Sequence, residues 1–277
     1  MLNGDTRIIA HVGDPTTTFK SPMIYNPWFA ASGFNAAVVP LGVTAQEFKA
    51  AFPLICRFTN FAGALVTMPH KVAVLDLIDE SSPAVQVCGA CNAVRRDAQG
   101  RLVGDMFDGE GFVRGARANG VELAGRAALV VGCGGVGSAI AASLAAAGVA
   151  RLGLYDLNAA SSQALASRLN KHYPALVVQV GANDPASYDI VVNATPLGMK
   201  AGDPLPLDVA RLAPSCFVGE VVLSKATTAF LAAAQARGCK TQIGLDMLFA
   251  QIPAYLEFFG FPVASAQELR RGAQLGD

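Results

Sequence analysis

The chain has 277 residues, 52% of them hydrophobic and 15% charged, which is enough to bury the cores of two domains. Lys plus Arg and Asp plus Glu number 21 each, a balance that excludes a basic nucleic-acid footprint and a polybasic tail that seeks lipid. The opening residues carry no basic-then-apolar leader, so a cytoplasmic protein without a membrane partner is expected.

Short apolar runs alternate with helical patterns from the start. "RIIAHVG" (7–13) reads as a strand and "SPMIYNPWFAASG" (21–33) as a helix capped by Ser21, with Pro22 in its first turn. "AAVVPLGV" (36–43) is the next strand. "TAQEFKAAFPLI" (44–55) follows as a helix that Thr44 and Glu47 would open as a capping box. "GALVTM" (63–68) is a third strand, closed by Pro69, and "HKVAVLDLI" (70–78) predicts a helix. Lys71 therefore stands at a joint between two apolar elements. On its own it reads as a helix-start lysine with its ammonium in water. "GACNAVRRDAQGRLVGDMFD" (89–108) reads as a hairpin turning at Ala98, Gln99 and Gly100.

A helix at 109–120 leads into a second series. Residues 127–150 hold no charge and are long enough to span a bilayer. Their content is a Val/Leu strand, a glycine turn and an alanine-rich helix, which predicts buried core instead. Strands at 151–157, 176–180, 189–196, 215–223 and 240–244 and helices at 161–173 and 227–238 complete the alternation. The apolar helix at 245–261 closes it. The expected fold class is α/β: an N-terminal α/β substrate domain over 1–108, completed by helices in 244–277, and a Rossmann-type doubly wound dinucleotide-binding domain over 109–243, with an active-site cleft between them.

Six cysteines are scattered along the chain, and Cys88 and Cys91 have C-x-x-C spacing. No second ligand pair accompanies them, and the three histidines form no ligand-spaced set. Reduced thiols and no metal are expected.

Gly132, Gly134, Gly135, Val136 and Gly137 lie in a G-x-G-x-x-G turn that follows a strand and opens a helix. There the glycines permit a tight turn and close approach of backbone to a pyrophosphate, and the helix N-terminus faces the phosphates. Asp156 ends the next strand, 19 residues after Gly137. An acid there binds ribose hydroxyls and repels a 2′-phosphate. No cation lies in the stretch that follows, and Arg151 is expected to point elsewhere. NAD is therefore expected in preference to NADP.

With these motifs in place, the chain resembles the shikimate and quinate dehydrogenase family over nearly all its length. "VGDPTTTFKSPMIYN" is similar to the family's substrate loop, "GALVTMPHK" to its lysine segment, "GACNAV" and "GDMFDGEG" to its asparagine hairpin and aspartate turn. "GCGGVGSAI", "VVNATPLGM" and "GLDMLFAQ" resemble the cofactor loop, the nicotinamide strand and the closing helix. The resemblance implies reversible hydride transfer between a nicotinamide and a ring hydroxyl at C3 of a cyclic hydroxy acid such as shikimate or quinate. It implies Lys71 and Asp108 as the proton-transfer pair, Ser21, Thr67, Asn92 and Gln251 as partners of substrate oxygens, and Asn193, Thr195 and Met199 beside the nicotinamide. It also implies a monomer or homodimer with a small-molecule partner.

The chain departs from the family at several polar positions. Phe19 stands where a first serine grips the carboxylate, Leu65 where an asparagine is common, Met106 and Phe107 before the aspartate, and Leu223 in place of a tyrosine, followed by Ser224 and Lys225. Each of the first four changes puts an apolar group where a polar one is usual, so weaker grip on shikimate, or a less polar ring, is expected. Lys225 could return a cation near the carboxylate. A non-catalytic relative that senses a metabolite is the alternative reading, and the retained Lys71 and Asp108 speak against it.

Overall fold

The computed structural model describes residues 2–223 and 227–275, and the chain divides into two compact units. The first comprises residues 1–85, 89–107 and 252–277, the second residues 86–88 and 108–251.

The first unit is built on a six-stranded mixed sheet. β1 (Arg7–Gly13), β2 (Ala36–Gly42) and β3 (Phe61–Val66) are parallel, with β1 in the middle. Every residue of β1 beyond Ile8 is buried, as a central parallel strand covered on both faces must be. α1 (Pro22–Ser32) and α2 (Phe48–Ile55) provide the helical crossovers. β4 (Glu80–Ser81), β5 (Ala93–Arg96) and β6 (Leu102–Asp105) extend the sheet, in the order β2-β1-β3-β5-β6-β4. β5 and β6 are the expected hairpin, antiparallel to each other, and Gly100 in their turn takes φ 84°.

Two expected helices change here. Residues 70–78 form only a 3-10 turn over Ala73–Leu77. The reason is competition for an acceptor. The carbonyl of Lys71, which a helix would give to residue 75, accepts instead from the amide of Cys91 at 2.8 Å. α2 begins at Phe48 rather than at residue 44, because residues 44–47 close as a turn on the Thr44 carbonyl and hydroxyl. α3 (Pro83–Cys88) was not expected. Ser82 caps it, accepting the Val85 amide at 3.3 Å.

The second unit opens with α4 (Asp108–Ala118) and carries a six-stranded sheet that is parallel throughout. β7 (Ala127–Val131), β8 (Arg151–Tyr155), β9 (Val177–Val180), β10 (Ile190–Asn193), β11 (Phe217–Glu220) and β12 (Lys240–Gln242) are arranged β12-β11-β10-β7-β8-β9. The order reverses between β7 and β10, the crevice where a doubly wound sheet binds its ligand. α5 (Gly135–Ala146) and α6 (Ala159–His172) follow β7 and β8, and α7 (Ala229–Ala236) follows β11. Gly109 is obligatory where α4 crosses α5, since a Cβ there would fall on the Ala139 carbonyl. α8 (Gly244–Phe258) contains the boundary between the units, and α9 (Ala266–Gly272) ends the described chain with a capping box of Ser265 and Glu268. Among the described residues no helix is long and apolar enough to cross a membrane.

Candidate active site

In the first unit the turn after β3 presents Lys71, half-buried. Its backbone is fixed on both sides. The His70 amide donates to the Thr67 carbonyl at 2.8 Å, and the His70 ring stacks on Phe48 with centroids 4.0 Å apart, its Nε2 2.7 Å from the Val43 carbonyl. His70 is thus a brace for the turn. On the other side the Lys71 carbonyl is held by Cys91, and the next residue, Asn92, is 2% exposed. The Asn92 side-chain carbonyl accepts the Phe107 amide at 3.0 Å, and Asp108 follows directly. Two hydrogen bonds and two peptide links therefore connect the backbone of Lys71 to that of Asp108. Asp108 is 6% exposed and is the first residue of α4.

Ser21 occupies the N-cap position of α1, but with helical backbone angles and no capping bond from its side chain. The expected cap is absent, and the hydroxyl is left over for another partner. Thr67 lies beneath Gly13, where an added Cβ would collide with its methyl group. His11 was not singled out from sequence. It lies in β1, stacks on Phe19 with centroids 3.9 Å apart, and has a buried, unpartnered Nδ1. Burial first, and Lys71 second, lower its pKa from 6.5 to about 4. The one signal available was a lone histidine in an apolar strand.

In the second unit the glycine turn has the geometry of a phosphate cradle. Gly132 takes φ 98°, and a Cβ on it would stand 2.8 Å from the Ala194 carbonyl. A Cβ on Gly137 would fall on the Gly132 carbonyl. Beside Gly134 and Gly135, by contrast, a Cβ meets nothing. Gly134 caps α5 without a side chain, so the first amides of a twelve-residue helix remain for an anion. This cradle at the sheet's switch point fits the pyrophosphate of a dinucleotide. Val136 is half-buried beside it.

Asn193, fully buried, uses both ends of its amide to build the turn after β10. It donates to the Leu197 carbonyl at 3.0 Å and accepts from the Thr195 hydroxyl at 2.6 Å. Met199 is 54% exposed. In register with Asn193 stands Glu220 of β11, fully buried and missed from sequence. The Thr228 hydroxyl donates to it at 2.8 Å, its other oxygen is unpartnered, and burial raises its pKa above the usual carboxylate range. A lone charge in the run "CFVGEVVL" was the available signal. Gln251 is buried with an unpartnered Oε1, and its Cβ would lie 2.7 Å from a Cβ on Gly111. Ser224 and Lys225 lie outside the described residues.

All six cysteines are buried free thiols. Burial, with Asp156 second, pushes Cys133 up to about 12. Among the described residues no group of three or more His, Cys, Asp or Glu could hold a metal ion.

The model of the shikimate dehydrogenase substrate binding domain matches residues 12–94, and the ThiF family model matches residues 119–180. A shikimate dehydrogenase (NADP(+)) of Rubrobacter xylanophilus is 37% identical over 254 residues, 90% of this chain and 89% of the relative. The chain belongs to the shikimate dehydrogenase family. It is an oxidoreductase. Among solved structures, shikimate 5-dehydrogenase from Listeria monocytogenes, in complex with shikimate and NAD, superposes with a TM-score of 0.91 at 26% identity, covering 98% of this chain and 97% of that one. The ligand-free 5-ketofructose reductase of a Gluconobacter strain gives 0.87 at 27% identity, covering 96% and 98%.

One expectation is corrected by these family members. The NAD preference inferred from Asp156 is overturned, since the curated relatives matched across the chain are NADP(+) enzymes. The structure supplies a physical reason why that acid is a poor guide. Its two oxygens accept the backbone amides of Cys133, at 2.7 Å, and Asn158, at 2.8 Å. Asp156 thus has a structural duty in stiffening the glycine turn, which either dinucleotide requires. Arg151 does point elsewhere, lying over the Tyr188 ring and bonding to Ser187.

Proposed function

We propose that this member of the family transfers hydride reversibly between a nicotinamide dinucleotide and the secondary alcohol of a ring substrate such as shikimate, quinate or a related cyclic compound. When bound in the glycine cradle, the dinucleotide supplies the hydride acceptor or donor. Lys71 moves the proton at the reacting oxygen, taking it as the alcohol becomes a ketone and returning it in reverse. Asp108 orients the Lys71 side chain, a neutral amine as it takes the proton and an ammonium as it returns it, and the substrate hydroxyl. Ser21, Thr67, Asn92 and Gln251 hydrogen-bond the other substrate oxygens, and Asn193, Thr195 and Met199 border the nicotinamide. The observation that carries this reading is the short path of two hydrogen bonds, one of them to the Asn92 side chain, that links Lys71 through Cys91, Asn92 and Phe107 to Asp108. A mere surface ion pair needs no such bracing, nor a 6%-exposed carboxylate. A metabolite sensor would need no proton-transfer group at all. The buried, free thiols suit a cytoplasmic setting.

The test is absorbance of reduced dinucleotide with purified protein, supplied separately with NADP+ and NAD+ and with shikimate, quinate and a panel of cyclic polyols. Turnover of at least one ring alcohol is expected. Ligand binding without any turnover across the panel would move the sensor reading ahead.

A further inference from the structure

At the amino end of β1 the first unit has an open groove of about 480 Å³. Three strands meet there. β1 and β3 begin with Arg7 and Phe61, and β5, antiparallel to β3, ends with Arg95 and Arg96. The end of α8 packs on the same edge, where a Cβ on Gly63 would collide with the Phe259 ring. The length of β3, about 17 Å, separates the groove from the turn that holds Lys71.

The lining carries three guanidiniums, of Arg7, Arg95 and Arg96, and one carboxylate, of Glu257, a net charge of two positive. Among the described residues none of these four groups is in an ion pair. Arg7 lies 4.3 Å over the centroid of Phe261, and Arg95 5.1 Å from that of Phe258. Stacking engages the face of a guanidinium and leaves the N–H groups at its edge for an oxyanion. Of its five such donors, Arg7 gives one to the Phe259 carbonyl at 3.4 Å, and Arg96 gives one to the Cys56 carbonyl at 3.2 Å. The negative end of α8 does not oppose an anion here. Gly260, at φ 71°, closes the helix, and the carbonyls of Tyr255, Leu256, Glu257 and Phe259 all accept hydrogen bonds. Capping α8 explains Arg7 alone and leaves two further guanidiniums in the groove to account for.

We propose that this groove binds a small ring compound carrying a phosphate monoester, with the phosphate among the three guanidiniums and the ring against Phe61 and Phe258. A phosphate monoester is close to a dianion at neutral pH and presents three acceptor oxygens from one centre. It therefore meets both the excess charge of the lining and the paired edge donors of more than one arginine. A monocarboxylate would leave half of that charge unmet. The apolar part of the lining favours the ester over inorganic phosphate, because covering the ring removes apolar surface from water.

The test is calorimetric titration of the full chain with phenyl phosphate, inorganic phosphate and phenol, with NADP+ held in excess so that the glycine cradle is filled. Phenyl phosphate should bind saturably and about tenfold more tightly than inorganic phosphate, and phenol should not bind. Arg95→Gln combined with Arg96→Gln should weaken phenyl phosphate by about tenfold or more while leaving NADP+ affinity level. Arg96→Lys, which keeps the charge and loses the fork, should weaken it less than Arg96→Gln. A second readout needs no variant. Phenyl phosphate should slow butanedione modification of Arg7, Arg95 and Arg96 in the wild type, mapped by mass spectrometry, and leave exposed Arg117 unprotected. Three results would each overturn the proposal: no saturable binding, binding that the double variant does not weaken, or equal protection of Arg117. Equal affinity for the two phosphates would overturn it as well, since the ring would then contribute nothing. Turnover enters none of these measurements, so hydride transfer at Lys71 stands or falls separately.

Discussion

Replacing His11 by Phe removes one titration and little else, because the ring and its stack on Phe19 are retained. In the folded chain His11 is 7% exposed and its pKa lies at about 4, against 6.5 for the free group. The unfolded chain therefore binds a proton at this residue first as the pH falls. Wild-type stability is unaffected by His11 above about pH 6.5, declines as the pH drops towards about 4, and changes no further below that. At about 1.4 kcal/mol per unit, the whole effect is about 3 kcal/mol, of which about 2 kcal/mol has been lost by about pH 5. Urea denaturation of both proteins near pH 7.5 and near pH 5 isolates the effect, since His70, His172 and every carboxylate are common to both. The wild type should lose about 2 kcal/mol more than His11→Phe between those conditions. Parallel losses, or a His11 resonance that titrates near 6.5, would refute the buried neutral imidazole.

Gly137→Ala should abolish dinucleotide binding in calorimetric titration with NADP+, because the new methyl falls on a backbone carbonyl that no rotamer can move aside. It should also cost about 1–3 kcal/mol of stability, and unchanged affinity would show the turn is not the phosphate cradle. Asp156→Ala should weaken NADP+ and NAD+ alike, since it leaves the Cys133 and Asn158 amides without their acceptor. Selective loss of one dinucleotide would contradict that role. The six thiols should react with Ellman's reagent at neutral pH only after denaturation, given their burial and the upward shift of Cys56, Cys133 and Cys216 to about 12. Rapid modification of Cys88 and Cys91 in the native protein would revive a redox pair.

Strand and glycine signals were legible in the sequence because they are local. The strands from "RIIAHVG" to "KTQIG" are short apolar runs, and the glycine turn carries its own stereochemistry. What the sequence concealed depended on distant partners. Residues 70–78 have a helical pattern, yet an amide twenty residues away, that of Cys91, takes the acceptor a helix needs. Ser21 looked like a cap, yet its backbone is helical and its hydroxyl makes no capping bond. Asp156 looked like a ribose reader, although its two oxygens hold backbone amides. His11 and Phe19 are eight residues apart and become one feature only when the loop after β1 folds back over its end. Glu220 and Thr228 meet in the same way.

The most direct measurement compares wild type with Lys71→Met, each with NADP+ and the best ring alcohol from the panel, together with dinucleotide affinity by calorimetry. Proton transfer by Lys71 predicts that turnover falls by about 10²–10⁴-fold while affinity stays level. A Lys71→Met protein that turns over within a fewfold of wild type would show that Lys71 is not the group that moves the proton.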